Sequence, residues 1–341
     1  MPMASIRRWF LLSITLIITV SFSNDARSQE INWNGNGNGI DWGDPANWNG
    51  GEIPGSSNFA RVLNLDGTIE LNSDQAIDGA SITSNLQHSG GTLTVDREFS
   101  FDAPRGGPSL VYSMSGNARL FSRGSPTNLG GRGSSQLTMR GTTSILATQS
   151  LNLNFSGVFN GRLEDDSSIV VTQELFAGAI GSGSTILTMT DRSVLIAGQL
   201  LLSPPTPDPA GSSELSFIGG SLFLSFGDLL VDDMGLLSYK ADSLGVSTLM
   251  TDQITLSAGA MLSVDLSGYE SDASIRLIDA DQPINGIFSG LPEGALVPGT
   301  NGRTISYLGG DGFDVVLVPE PQSALLLTIA LLVPLVRTRK R

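Results

Sequence analysis

The 341-residue sequence has no cysteine, a single histidine and few aromatic residues, which make up 6% of the chain. Without cysteine there can be no disulfide, no iron–sulfur or thiolate–zinc site and no cysteine nucleophile. A single histidine excludes a metal site built on several imidazoles, and any Ser-His-Asp arrangement would have to use His88. His88 stands beside Ser89-Gly90-Gly91, a composition typical of a turn, so we expect it at the surface and not in a catalytic site.

Positive charge is also scarce between the two ends of the chain. Residues 29–318 carry 31 acidic and 12 basic side chains, a net charge of about −19, against −14 for the whole chain. A body this acidic is repelled by nucleic acid and by anionic membrane surfaces, so we expect neither as a partner. Glycine, by contrast, is abundant, with 41 residues, which indicates many turns.

The N-terminal segment has the order of a secretory signal peptide. Arg7 and Arg8 precede an uncharged apolar run of twelve residues, and small residues follow at Ser23 and Ser28. Twelve helical residues at about 1.5 Å each span about 18 Å, which is too short for a hydrocarbon core of about 30 Å. We therefore predict that residues 1–28 are a signal helix, cleaved after Ser23 or Ser28, and that the body is exported.

The C-terminal segment combines a short motif, an apolar run and a basic cluster. Pro319-Glu320-Pro321 precedes a thirteen-residue apolar run over 324–336. The basic residues that close the chain are Arg337, Arg339, Lys340 and Arg341. Such a cluster stays on the cytoplasmic side of a membrane, and an apolar run of this length is short for a permanent span. We expect a hydrophobic helix in the tail, 319–341, that anchors the protein at the inner membrane transiently.

These three features in this order resemble the PEP-CTERM sorting signal of exopolysaccharide-producing Gram-negative bacteria. The resemblance covers residues 319–341 and implies that a membrane enzyme called exosortase recognises and cleaves the tail. The sorting residues that it implies are Pro319, Glu320, Pro321, Arg337, Arg339, Lys340 and Arg341. It also implies a final location at the cell surface or in the extracellular matrix. The alternative is an ordinary C-terminal membrane helix.

The body, residues 67–318, contains short alternating apolar runs separated by Gly, Ser, Asn and Asp, which is typical of an all-β chain. One pattern recurs at intervals of about 25 residues or a multiple of it, in Tyr112-Ser113-Met114, Leu137-Thr138-Met139, Leu187-Thr188-Met189 and Leu215-Ser216-Phe217. A repeat of this length suits one coil of a parallel β-solenoid, or β-helix, whose coils stack about 4.8 Å apart around one core. The competing architecture is an antiparallel β-sandwich.

The repeat predicts stacked coils from about residue 92 to residue 266. The side chains predicted to point inward are Leu137, Met139, Leu187, Met189, Leu215 and Phe217. A degenerate copy falls within 162–170, where Ile169 occupies an expected strand position, and Leu151 is matched to Leu201. A Pro-rich stretch, 204–209, is predicted to be a loop. If all of residues 29–318 coiled in this way, about eleven coils would form a rod about 55 Å long.

The segment 29–66 is rich in tryptophan, asparagine and glycine. Trp33, Trp42 and Trp48 are the only tryptophans outside the signal peptide. We favour a cap, in which the three large rings cover the open end of the first coil. The alternative is a glycan contact in which the indole faces stack on sugar rings.

Residues 309–317, Gly-Gly-Asp-Gly-Phe-Asp-Val-Val-Leu, match the calcium-binding nonapeptide G-G-x-G-x-D-x-U-x. The match suggests Asp311 and Asp314 as Ca²⁺ ligands. Each ion in such arrays is shared by two adjacent copies, and only one copy is present, so a glycine turn before a strand is the favoured interpretation. We expect no cofactor, with Ca²⁺ as the alternative.

Two runs of acidic residues are the remaining candidates for chemistry. Glu164-Asp165-Asp166 and Asp232-Asp233 could supply carboxylates for glycoside cleavage, but adjacent residues on a strand point to opposite faces, so solvated turns are favoured. We therefore assign no catalytic residue and predict a non-enzymatic surface or matrix protein associated with exopolysaccharide. The alternative is a carbohydrate-active or glycan-binding β-helix protein.

Overall fold

The computed structural model describes residues 28–63, 67–153, 156–178, 183–202, 211–220 and 222–320. These residues form 26 β-strands and one 3-10 turn, Pro45–Asn47, and they contain no α-helix. The signal helix predicted over 1–28 falls outside them except for its last residue, and the hydrophobic run and the loop at 204–209 lie outside them entirely. Within this part of the chain no helix is long and apolar enough to span a bilayer.

The strands are short and follow one another closely along the chain. The first thirteen are β1 (Gln29–Asn32), β2 (Asn58–Val62), β3 (Thr68–Leu71), β4 (Gln75–Ile77), β5 (Gly79–Ile82), β6 (Asn85–His88), β7 (Thr92–Val95), β8 (Phe99–Phe101), β9 (Leu110–Met114), β10 (Arg119–Ser122), β11 (Thr127–Leu129), β12 (Ser134–Met139) and β13 (Ser144–Ala147). The others are β14 (Ser150–Leu153), β15 (Val158–Leu163), β16 (Ser168–Ala177), β17 (Ser184–Met189), β18 (Val194–Leu202), β19 (Ser212–Ile218), β20 (Phe223–Val231), β21 (Gly235–Lys240), β22 (Leu249–Leu256), β23 (Met261–Asp265), β24 (Ile275–Ala280), β25 (Arg303–Gly309) and β26 (Asp314–Pro319).

The strands belong to two sheets, which we call sheet A, with 17 strands, and sheet B, with nine. Every pairing in sheet B is parallel and joins strands one coil apart, in the order β3-β6-β9-β12-β15-β17-β19-β21-β23. Each complete coil gives one strand to sheet B and two strands, or two halves of a longer strand, to sheet A. The described part of the chain is therefore all-β and forms a parallel β-solenoid of about nine coils of about 25 residues, and the antiparallel sandwich is excluded.

The core is built from equivalent side chains stacked coil upon coil. Leu187 pairs with Gly161 on one side and with Leu215 on the other, in the place that Leu137 takes two coils earlier. Because side chains alternate between the faces of a strand, the residues two positions further along also point inward. All six side chains predicted to point inward are at most 1% exposed: Leu137, Met139, Leu187, Met189, Leu215 and Phe217. This prediction is confirmed.

The degenerate copy of the repeat differs in detail from the sequence-based alignment. Gly161 takes the inward position of leucine, and a Cβ there would come within 2.5 Å of a methyl group of Leu187. Ile169 lies on the predicted strand and pairs with Ile145. The match of Leu151 to Leu201 is wrong by one residue: the register runs from Leu151 to Leu200, since β18 has one residue fewer than β16 at its bend.

A tight turn follows each of several sheet B strands at the same place in the coil. Gly116 and Gly141 have φ of 67° and 77° there, as glycine corners predict, while Asp165 and Asp191 take the position with φ of 58° and 60°. Each aspartate binds the turn one coil before it: Gly141 N donates to Asp165 Oδ2 at 3.0 Å, and Asp165 N donates to Asp191 Oδ2 at 3.4 Å. These hydrogen bonds accompany the backbone conformation that aspartate tolerates less well than glycine.

The solenoid has about nine coils and not eleven because other structure occurs at both ends of residues 29–318, including the loop between β1 and β2. At the C-terminal end, β26 pairs antiparallel with β24, and β25 pairs antiparallel with β26. The outer edge of β25 is covered in turn, since Val297 N donates to Arg303 O and Ile305 N donates to Ala295 O, both at 2.9 Å. Nine coils at about 4.8 Å each measure about 43 Å along the axis.

Candidate functional site

The three tryptophans lie together at the N-terminal end of the solenoid. Trp48 packs edge-on against Trp33 and Trp42, with ring centroids 4.9 and 4.8 Å away, and its Nε1 donates to Trp42 O at 2.9 Å. Trp42 and Trp48 are at most 1% exposed and Trp33 is 7% exposed. A sugar ring needs an open indole face, and these rings are packed into the core. The burial is what the favoured interpretation, a cap, predicts, and both the cap and the alternative glycan contact stay predictions.

The loop that carries these rings is held by the fully buried side chain of Asn47. Its Oδ1 accepts hydrogen bonds from the amides of Gly37 and Gly39, and its Nδ2 donates to Asp41 O, all at 2.9 Å. The loop then joins sheet B, because Asp41 forms a parallel bridge with Glu70 on β3. The asparagine- and glycine-rich segment thus has a local structural role at this end.

The Gly-Gly-Asp-Gly turn joins β25 to β26 at the opposite end. Asp314 is 1% exposed, its Oδ1 accepts from Ala280 N at 3.3 Å, and its Oδ2 lies 3.1 Å from Arg276 Nε. Burial raises the pKa of the Asp314 carboxyl, and the Arg276 guanidinium opposes that shift. Asp311 is exposed and accepts from Phe313 N at 3.2 Å. A calcium ion here would have to displace Arg276, and the calcium alternative stays a prediction.

The two acidic runs lie in turns and contact neighbouring coils. Glu164 pairs with Arg140 and Arg162, and Asp166 pairs with Arg192 at 2.7 Å, which lowers the pKa of Asp166. The carboxylates of the other run, 232–233, accept hydrogen bonds from Ser257 Oγ at 2.7 Å and Gly259 N at 2.9 Å. Within the described residues no group of three or more histidine, aspartate and glutamate side chains could hold a metal ion.

The expectation that His88 lies at the surface is wrong. His88 ends β6, is fully buried, and pairs with Met114, so it takes the inward place that methionine takes in later coils. Its Nδ1 lies 3.3 Å from Tyr112 Oη and its Nε2 lies 3.2 Å from Gly91 O. Burial lowers the pKa of His88 to about 4, because the charged imidazolium would lose its hydration. The side chain is neutral at pH 7 and forms part of the core.

The junction between the body and the tail is the feature closest to the predicted sorting residues. Pro319 is the last residue of β26 and pairs with Arg303 on β25, while Glu320 is exposed. Both residues line a surface cleft of about 620 Å³ together with Tyr269 and Glu270. Pro321 and the basic cluster at 337–341 lie outside the described residues.

Arg303 fixes this junction and was not singled out by the sequence. Its side chain is buried, and its guanidinium donates to Ala273 O at 2.6 Å and to Ser271 O. It therefore ties the chain after β23 to the strand beside Pro319. A lone arginine in a glycine-rich stretch carries no sequence signal for this role, because its partners are main-chain carbonyls.

Comparison of the chain with protein-family models, with curated proteins and with solved structures finds no match.

Proposed function

We propose that the chain is a non-enzymatic secreted protein that becomes part of the cell surface or of an exopolysaccharide matrix. In this proposal residues 1–28 direct export, and the tail, 319–341, holds the protein at the inner membrane until an exosortase-type enzyme cleaves it. The folded body is then released as a rigid rod. No cofactor is required.

One observation supports the proposal: the last described strand, β26, ends at Pro319, the first residue of the predicted tail. Strand β26 lies between β24 and β25, pairs up to Pro319, and is followed at once by the exposed Glu320. The two prolines that flank Glu320 disfavour helix, and a non-helical backbone is what a processing enzyme would need in order to reach this segment. Cleavage after Glu320 would remove none of the paired residues of the C-terminal cap.

The solenoid is also suited to a structural role. Its nine coils share one continuous core, the three tryptophans pack into this core near the N-terminal end, and antiparallel strands cover β24 at the other end. A covered sheet edge hinders strand-by-strand addition of further copies at that end. A rod of about nine coils follows from this arrangement.

The proposal is tested by the location of three chains in the native host. The full chain should reach the surface or matrix, while a chain ending at Glu320 should be exported but not retained there. A third chain, with Arg337, Arg339, Lys340 and Arg341 all replaced by glutamine, should be mislocalised although its length is unchanged. Equal distribution of all three chains would overturn the sorting role. The chain ending at Glu320 keeps every residue of β26, so misfolding would not account for a change in location.

A further inference from the structure

The outer face of sheet A carries a column of apolar side chains in register. The sheet A segment of each coil has two halves. In the first half, one outward residue near the middle of the strand pairs with the equivalent residue of the next coil, and this continues through six successive coils. We call this column the outer ladder; its members are Phe121, Leu146, Val170, Ile196, Ser225 and Met250. Five of the six are apolar and all are partly exposed, whereas their chain neighbours Ile145 and Leu195, for example, are fully buried. The outer ladder is therefore separate from the core.

The outer ladder is uncharged although the body as a whole is strongly acidic. It is bounded by Thr94 at one end and by Asp279, which pairs with Arg276, at the other. Exposed acids such as Glu174 and Asp228 lie beyond the ladder, where the strands of sheet A bend. Arg119 and Arg123 lie beside the Phe121 end of the ladder, so the charges around it have both signs. The ladder itself offers no charged group to a polymer, which favours an uncharged partner.

Hydroxyl groups flank the apolar column. Ser144 and Ser168 are partly exposed and precede the ladder residues of their coils by two positions, so they point to the same face. On the other side, Thr148 Oγ1 donates to Arg123 O at 2.7 Å, and Thr172 Oγ1 donates to Thr148 O. Apolar side chains with a few polar groups beside them form the kind of surface that orients a small polar ligand.

The dimensions of the outer ladder favour a linear ligand over a folded protein. Six rungs at about 4.8 Å extend about 24 Å from the first to the last. The column is narrow, although Val194, two positions before Ile196, adds a second apolar side chain on the same face. A stable protein interface buries about 800 Å² on each partner, which needs a broader surface. The regular spacing along the coil axis suits a polymer whose units repeat at a similar distance.

We propose that the outer ladder binds an uncharged, linear polysaccharide that runs along the solenoid axis. The apolar C–H faces of the sugar rings pack on Leu146, Val170 and Ile196, and their hydroxyl groups bind Ser144 and Ser168. The Arg123 guanidinium lies over the Phe121 ring, 5.0 Å from its centroid, so Phe121 ends the apolar column and is not a stacking platform. This inference rests on the proposed function, because it names the matrix component that the exported rod contacts.

The test uses affinity electrophoresis of the full chain in gels that contain either a soluble β-1,4-glucan or alginate, an anionic polysaccharide. We expect the glucan to retard the protein and alginate to have no effect. The double variant Leu146→Glu/Ile196→Glu should weaken glucan binding at least tenfold. The matched control is Ile186→Glu on the outer face of sheet B, where the isoleucine is 37% exposed, and it should bind like the unchanged chain.

Each outcome decides the proposal. No retardation by the glucan, equal binding of alginate, or equal loss in the Ile186→Glu variant would overturn it. So would a dimer in sedimentation that the double variant dissociates, because the outer ladder would then be an interface between two copies. Failure of binding in a chain that is sorted normally rejects the outer ladder alone. Normal binding in a chain that is not sorted rejects the proposed function alone.

Discussion

The two ends of the solenoid are built in different ways. Near the N-terminal end, three indole rings that are local in sequence pack against one another in the core, and Asn47 holds the loop between them. The C-terminal end is closed by two antiparallel strands, a buried arginine and the buried carboxylate of Asp314. One end therefore depends on apolar volume and the other on polar contacts within the cap. Substitutions and pH should affect the two ends separately, since each coil contacts only its neighbours.

The largest loss of stability is expected from a substitution in the middle of the solenoid, with which substitutions at the two ends can be compared. Leu187→Asp places a carboxylate among the fully buried apolar side chains around β17, where the new charge has neither a counter-charge nor a hydrogen-bond donor. We expect a loss of about 5 kcal/mol in the free energy of unfolding, measured by denaturant titration. Thr188→Asp, on the outer face of the same strand, should cost less than about 1 kcal/mol. Similar losses in both variants would contradict the inward stack.

The N-terminal cap should respond to loss of ring volume. Trp48→Ala removes the ring that contacts both other indoles and should cost about 4 kcal/mol. Trp48→Phe keeps an aromatic ring but loses the Nε1 hydrogen bond to Trp42 O, so a smaller loss is expected. Hydrogen exchange should show faster opening of β3 and β6 and unchanged protection of β26. Uniform acceleration along the chain would show that the ends are not independent.

The same end should be sensitive to acid through His88. Its folded pKa, about 4, lies below the ordinary value of 6.5, so protonation favours the unfolded chain. This contribution is fully present above about pH 6.5 and declines as the pH falls, reaching a loss of about 3 kcal/mol near pH 4. His88→Met, which introduces the residue of the next coil, should remove this part of the pH dependence. If the His88→Met variant lost as much stability between pH 7 and pH 4.5 as the unchanged chain, this result would contradict a buried, neutral imidazole.

The C-terminal cap should instead respond to changes at Asp314. Asp314→Ala leaves Ala280 N without its acceptor and should cost about 2 kcal/mol. Asp314→Asn keeps an acceptor oxygen and removes the charge of the buried carboxyl. Because burial already raises the pKa of this carboxyl, the asparagine variant should lose less than half as much stability as the alanine variant. Local hydrogen exchange of β25 and β26 is the measurement. Greater loss with asparagine than with alanine would show that the ion pair with Arg276 dominates the site.

The interior of the solenoid could be predicted from the sequence because its stacks recur at one spacing. Leu137 and Leu187 belong to the same inward column, and the structure confirms their register through Gly161. The ends could not be derived in this way, since the antiparallel pairing of β26 has no repeat to reveal it. The surface prediction for His88 was wrong because the turn composition of residues 89–91 describes the residues after it, while His88 itself continues the inward column.

The outer ladder was missed for a related reason. In β13 the sequence Ser-Ile-Leu-Ala places Ile145 inward and Leu146 outward, so apolar residues occupy both faces and the alternation is lost. Only the register between coils separates the two columns. The order of motif, apolar run and basic cluster in the tail, by contrast, can be recognised from the sequence alone.

Mass spectrometry of the mature protein from its native host tests the central claim most directly. Processing of the tail predicts that the surface or matrix form ends at or within a few residues of Glu320, next to the last paired residue of β26. The C-terminal peptide of this form should contain the end of β26 and lack the basic cluster at 337–341. A peptide ending in Arg341 on most of the surface protein would contradict processing and would leave a permanent membrane anchor as the better account.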